Sequence, residues 1–244
     1  LALRSARFVP GNAVLVVAGD AEPGSVIRMA RAAFRIWPRG GLPEAATSSR
    51  PLPTASARLI GQEARAAAWC ELVVGWRLAI PTPDEVATHD VLTSLLAEGP
   101  EARVPALFPR SRVLDRSRDV AFATPGGLAW TVSVAGPARD EAIESLARVG
   151  VELGRGGPTP LELDRARNRV RMRWTVVVDR LDLLAARLAS DRLWRGDARA
   201  LDADVRRLDE LTVADVRDAA ARWLRPEAVV VTARPTAAPT ERTR

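Results

Sequence analysis

Between Phe8 and Gly40 the chain reads as turn, strand, turn, helix and stop. Val9-Pro10-Gly11-Asn12 carries turn chemistry. Ala13 to Ala18 is a short apolar run rich in valine, the pattern of a strand buried on both faces. Gly19-Asp20 ends it. Pro23 suits the first turn of a helix, where a missing N–H costs nothing. Val26, Ala30, Ala33 and Trp37 then recur at helical spacing, Ile27 and Phe34 widen the stripe, and Pro38 and Gly40 close the segment. An ordinary βα unit of an α/β protein has the same order of parts.

The remainder divides at a proline-rich stretch. Gly41 to Ala57 holds Pro43, Pro51 and Pro53 among Ala, Thr and Ser, the composition of an extended linker. Strands are expected at Arg58–Gly61 and over Ala66–Ile80, followed by a helix to about Ala97. Thr82 with Glu85 forms a capping box at the start of that helix, and Pro83 takes its first position. Residues 101–118 predict one or two short helices broken near Pro109. Val120–Thr124 and Leu128–Ala135 predict a hairpin turning at Pro125-Gly126-Gly127. A helix over Ala138–Leu153 is expected to stop at Gly154 and Gly156-Gly157. A second capping box, Thr159 with Glu162, opens a long helix that runs towards Trp194, with a kink or break in its β-branched middle at 174–179. Residues 198–208 are amphipathic. Thr212 to Asp215 opens a last helix with Val216, Ala219, Ala220 and Trp223 inward, and Ala228–Thr232 is a closing strand. Strands and helices are segregated rather than alternating. The expected class is α+β, a mixed or antiparallel sheet covered by helices.

Composition narrows the function classes. Of 244 residues 47% are hydrophobic and 27% charged, which supports a packed core. No apolar run approaches the ~20 residues of a membrane helix. The net charge is +6 and the isoelectric point about 11.1, but every basic residue is arginine, which stays protonated at high pH and inflates that value. The arginines are interleaved with acids. Those from Arg165 to Arg173 alternate, which spreads them around a helix as a solvated surface rather than a basic stripe, so nucleic acid is not an expected partner. One cysteine, Cys70, excludes an internal disulfide and reads as a buried small hydrophobe. One histidine, His89, reads as a partly exposed helix residue. Neither a Ser-His-Asp nor a Cys-His arrangement, a phosphate-binding glycine loop nor a calcium loop is present.

Several motifs taken together resemble the insulinase/pitrilysin-like zinc metallopeptidases. Pro10, Asn12, Gly19-Asp20 and Phe34-Arg-Ile-Trp37-Pro38 match a run that closes the first, metal-bearing domain of that family. Val74-Gly75-Trp76-Arg77 with Pro81 is similar to the strand that opens the second, non-metal domain. Gly99 to Val104, Val113 to Arg116 and Val120 to Phe122 resemble its next segments in degraded form. Gly157, Thr159, Glu162-Leu163 and Ala166-Arg167, then Leu211-Thr212 to Val216, Leu224 and Val229–Val231, resemble its end.

The resemblance implies the insulinase/pitrilysin-like (LuxS/metallohydrolase-like) fold. Residues 1–40 would complete a preceding domain, 41–57 would link, 58–235 would form the C-terminal non-metal domain, and 236–244 would be a disordered tail. The lead-in Leu1–Arg7 would continue something upstream. The family's His-x-x-Glu-His zinc site cannot be built from one histidine, so no zinc is expected in this chain and zinc is expected in a partner half. The motif then lies either upstream or in a separate zinc-bearing subunit. The family's substrate-contacting tyrosine falls on Phe122, which lacks a hydroxyl, and its arginine falls on Asp115 with Arg116 adjacent. Arg116 and Phe122 are thus the candidate substrate-binding residues, with no catalytic residue. The implied role is to enclose a peptide and pair with the metal-bearing domain or subunit, as a homo- or hetero-oligomer, soluble in periplasm or cytoplasm. A proteolytically inactive scaffold subunit of the same fold is the alternative.

Overall fold

A computed structural model of the chain describes residues 8–37, 57–60, 68–77, 81–99, 101–107, 117–118, 127–135, 139–226 and 229–235. The chain divides into two compact units, one of residues 1–50 and 171–206, the other of 51–170 and 207–244. Helix outweighs strand among the described residues.

The larger unit carries the sheet. Its strands are β1 (Ala57–Ile60), β2 (Trp69–Arg77), β3 (Ser117–Arg118), β4 (Gly127–Ala135) and β5 (Val229–Pro235), in the order β1-β5-β2-β4-β3. The β1–β5 pair is parallel and the other pairs are antiparallel. β2 is the central strand. It runs against β4 from Trp69 opposite Ala135 to Arg77 opposite Gly127, and against β5 from Cys70 opposite Pro235 to Trp76 opposite Val229. Cys70, Leu72 and Trp76, at strand period, are all buried on one face. The expected first strand of the hairpin, 120–124, and the break near Pro109 lie outside the described residues.

Helices cover that face. Of the eight described α-helices six lie wholly or partly here: α2 (Val86–Ala97), α3 (Arg103–Ala106), α4 (Arg139–Gly156), α5 from Pro160, the last turn of α7 (Ala200–Glu210) and α8 (Val213–Trp223). Their starts follow the caps read from the sequence. The Glu85 carboxylate accepts from Thr82 N at 2.9 Å ahead of α2. Thr159 N donates to Glu162 at 2.7 Å and Glu162 N to the Thr159 hydroxyl at 3.2 Å. Thr212 and Asp215 exchange the same pair of bonds at 2.9 and 3.1 Å. Val216, Ala219, Ala220 and Trp223 of α8 face inward, as their spacing predicts.

α4 does not stop at Gly154; it continues to Gly156, and Gly157 takes a positive φ of 70°. Gly154 and Gly150 serve packing instead. A Cβ at Gly150 would stand 2.8 Å from the Leu224 carbonyl oxygen and 3.0 Å from the Trp76 ring, and one at Gly154 would stand 2.8 Å from Ala221 Cα. Both glycines let α4 approach α8 backbone to backbone.

The alternating arginines are not simply solvated. Arg167 donates to the carbonyls of Leu208, at 3.0 Å, and Leu211, closing the end of α7 (Ala200–Glu210), whose last carbonyls have no partner within the helix. Arg169 donates to the buried Ser94 hydroxyl at 2.9 Å, and Arg165 pairs with Glu101. Sequence spacing spreads these side chains around α5, and each meets a different neighbour. Arg103 also grips Glu162 through two bonds of 3.1 Å.

In the smaller unit the expected long helix breaks at Arg180, which is extended (φ −107°, ψ 113°), separating α5, which ends at Asp179, from α6 (Leu181–Arg195). An ionic cluster lies in its interior. Asp204 is 2% exposed and accepts from Arg187 at 2.5 Å and from both terminal nitrogens of Arg195 at 2.7 and 2.8 Å. Arg187 also bonds Asp191 at 2.6 Å. This ties α6 to α7. Removing one carboxylate would strand a buried guanidinium.

Two measurements follow from the packing and the caps. Gly150→Ala should lower stability by ~1–2 kcal/mol in urea unfolding with an unchanged m value. Overpacking against backbone costs ~1–3 kcal/mol and outweighs a helix-propensity gain of up to ~1 kcal/mol. Gly156→Ala, with nothing within 4 Å of the new methyl, should be neutral or stabilising. The second concerns acid. Burial pushes the Glu162 carboxyl up, but Arg103 and the Thr159 N–H and hydroxyl outweigh it and hold the group below its usual range. Such a carboxylate contributes stability above its unfolded pKa of about 4, and that contribution is lost as pH falls through the lower folded value. Glu162→Gln should therefore lower Tm at neutral pH, by no more than about 1 kcal/mol of stability because solvent screens the pair. The gap to the parent should close below about pH 4.

Candidate functional site

The sequence-predicted contact residues Arg116 and Phe122 lie outside the described residues. Cys70 is fully buried in the central strand. His89 is half-buried on α2. Its Nδ1 stands 3.8 Å from Asp90 Oδ1, and its ring lies 6.2 Å from that of Trp223. Arg222 lies 5.1 Å over the Trp223 ring and pairs with Glu85 at 2.7 Å. One imidazole beside one carboxylate does not match the donor set of a zinc site, which takes three or four ligands. Among the described residues no group of three His, Cys, Asp or Glu could hold a metal ion. No described helix is long and apolar enough to cross a membrane.

The feature that stands apart is the segment Phe8–Trp37. Pro10–Asn12 forms one turn of 3-10 helix, and Gly19 has a positive φ of 146°. Between them Ala13–Ala18 forms neither strand nor helix, and its side chains are not buried. Leu15 is 58% and Val17 54% exposed. The expectation of a strand buried on both faces is thus overturned. A strand needs a neighbouring backbone, and among the described residues none pairs with Val14–Ala18.

Helix α1 (Pro23–Ala33) follows as its signals predict. The Glu22 carboxylate caps it, accepting from Gly24 N at 2.7 Å and Ser25 N at 2.5 Å. Hydrogen bonds from Ser25 and Gly24 hold Glu22 below the usual carboxylate range. The helix is amphipathic, yet buries no residue. Leu15 and Val17 face Val26, Ile27 and Ala30 across an apolar groove of about 400 Å³. Phe34, 50% exposed, lies 5.7 Å from the Trp37 ring.

Beside the apolar face runs a row of arginines, Arg28, Arg31 and Arg35, at helical spacing and all exposed. Arg28 donates to the Ser25 hydroxyl at 2.7 Å. No carboxylate pairs with any of the three among the described residues. The i, i+3, i+7 spacing of these arginines is legible in the sequence.

No protein-family model matches the chain, and no curated protein matches it in sequence. Solved structures do. A protease from Helicobacter pylori superposes with a TM-score of 0.77 at 18% identity, over 95% of this chain and 57% of its own. A peptidase M16 inactive domain from Pseudomonas fluorescens gives 0.72 at 19% identity, over 91% of this chain and 54% of its own. The inactive peptidase domain of a zinc protease from Bordetella parapertussis gives 0.59 at 20% identity, over 72% of this chain and 96% of its own. The chain thus spans little more than half the length of the first two. At these identities the likeness speaks for the fold. The chain has the fold of the M16-like peptidases, and its structural neighbours there include domains described as inactive.

Proposed function

We propose that the chain is the non-catalytic half of an insulinase/pitrilysin-like zinc metallopeptidase, enclosing peptide substrate and pairing with a metal-bearing half or subunit. One observation carries the reading: a chain with this fold has a single histidine in 244 residues, so His-x-x-Glu-His cannot be written in it. Its likeness to inactive peptidase domains supports the same role. In this reading residues 1–40 complete a preceding domain, 41–57 link, 58–235 form the non-metal domain and 236–244 trail from it. The zinc and its activated water belong to the partner half. Arg116 would bind a backbone carbonyl or carboxylate of the peptide, with Phe122 beside it, on the strength of the sequence resemblance.

A second reading has its own observation. A chain in Complex III2 from Candida albicans shares the fold, with a TM-score of 0.65 at 12% identity, so the fold also serves as a subunit of a larger assembly, the setting that a proteolytically inactive scaffold subunit would have.

Peptidase activity and bound zinc, assayed on the chain alone and mixed with a His-x-x-Glu-His domain, separate the readings. The expected outcome is no zinc and no activity alone, with activity in the mixture. In that mixture Arg116→Ala should raise KM about tenfold for a lost charge-assisted bond, with kcat little changed. Zinc and activity in the chain alone would overturn the proposal. A complex without activity would favour the scaffold.

A further inference from the structure

The register of the sheet sorts its residues onto two unlike faces. On β2, Cys70, Leu72 and Trp76 are buried on the helix-covered face, whereas Trp69, on the other, is exposed and Glu71 half-buried. β4 alternates in step. Leu128, Trp130, Val132 and Val134 stand opposite the helix-covered positions of β2, and Gly127, Ala129, Thr131 and Ser133 stand opposite Arg77, Gly75, Val73 and Glu71. Among the described residues this second face carries three arginines, Arg77, Arg118 and Arg234, and one acid, Glu71.

The charges are not evenly spread. Glu71 is in register with Arg234 at one end, the cross-strand placement in which opposite charges attract. At the other end Arg77 is opposite Gly127, and Arg118 on the edge strand is opposite Ala129, which is itself opposite Gly75. No acidic residue shares that end of the face among the described residues. Strand spacing puts the Cα atoms of Arg77 and Arg118 about 12 Å apart, across positions that carry at most a methyl group. Gly75 is buried although it has no side chain, so its neighbours stand above it and the floor is recessed. Glycine weakens a strand interior and marks places where a ligand or another backbone comes close.

We propose that this end of the face binds a peptide carboxylate between Arg77 and Arg118, over the floor of Gly75, Gly127 and Ala129. The inference rests on the reading that the chain encloses a peptide, and adds the chemistry that peptide carries: an acidic side chain or a free C-terminus. Guanidinium forks on two sides of a carboxylate make the strong, charge-assisted class of hydrogen bond, and the small floor lets the peptide backbone lie close. Nucleic acid asks instead for a run of cations along its phosphates and aromatic platforms for its bases.

Short acetylated alanine peptides, bound to the whole chain, test this. One has a single internal glutamate and a C-terminal amide, the second has glutamine in that place, and the third has the glutamine and a free C-terminus. The uncharged peptide should bind about tenfold more weakly than at least one of the others, and added salt should narrow the gap. The amide resonances of Gly75, Gly127 and Ala129 should shift on binding. A gain from the internal glutamate assigns the site to an acidic side chain, and a gain from the free end assigns it to the terminus. Arg77→Gln and Arg118→Gln should each abolish the preference, whereas Arg206→Gln, at an exposed position of the smaller unit, should preserve it. Should Arg77→Gln fail to fold, Arg118→Gln on the edge strand and the parent's resonance shifts decide. Equal binding of all three peptides, binding of none, shifts confined to other residues, or a preference that survives both arginine variants would overturn the proposal. So would inorganic phosphate or duplex DNA that shifts these resonances while the carboxylate peptides do not. The peptide arm needs no metal-bearing partner. A carboxylate preference without activity in the peptidase mixture removes only the pairing role, and activity without the preference removes this inference alone.

Discussion

The larger unit depends on one close approach. At Gly150, helix α4 meets the carbonyl of Leu224 at the end of α8 and the Trp76 ring of the central strand, with no room for a methyl group. One position therefore sets the distance between two helices and between those helices and the sheet. Gly154 repeats the contact one turn later against Ala221. Bulky packing elsewhere, such as Leu92, Leu96 and Leu153, fills space that this backbone contact has already fixed.

Arginine supplies most of the remaining specificity. A chain without lysine has only guanidinium groups for its cationic contacts, and their planar fork suits two acceptors at once. Arg103 spans the Glu162 carboxylate, Arg167 reaches two carbonyls at the end of α7, and Arg195 spans Asp204. The first two join segments far apart in sequence, where a point charge would fix direction poorly. Arg28 and Arg31 on α1, and Arg35 just past its end, depart from this habit: no carboxylate pairs with them among the described residues.

Much of the architecture was legible because its signals are local. The Thr82, Thr159 and Thr212 caps, the inward spacing of α8 and the position of β2 each depend on a few neighbouring residues. Misreadings occurred where a distant partner decides. Gly154 looks like a helix stop until α8 is beside it. Arg167 looks solvated until the end of α7 arrives. Ala13–Ala18 has strand composition, but composition cannot supply the neighbouring strand. The site was less legible than the fold for the same reason, since an interface is defined by what is opposite it.

The lone cysteine has a consequence of a different kind. Cys70 lies on β2, with β4 on one side and β5 on the other, and its side chain is wholly shielded. Cys70 is second in β2, opposite Val134 and Pro235 near the ends of β4 and β5, so a reagent reaches the sulfur when that end of the sheet opens. The sequence therefore carries a single chemical clock for opening at one end of the central strand. Thiol-labelling rates would report that opening without any engineered probe and without interference from a second sulfhydryl.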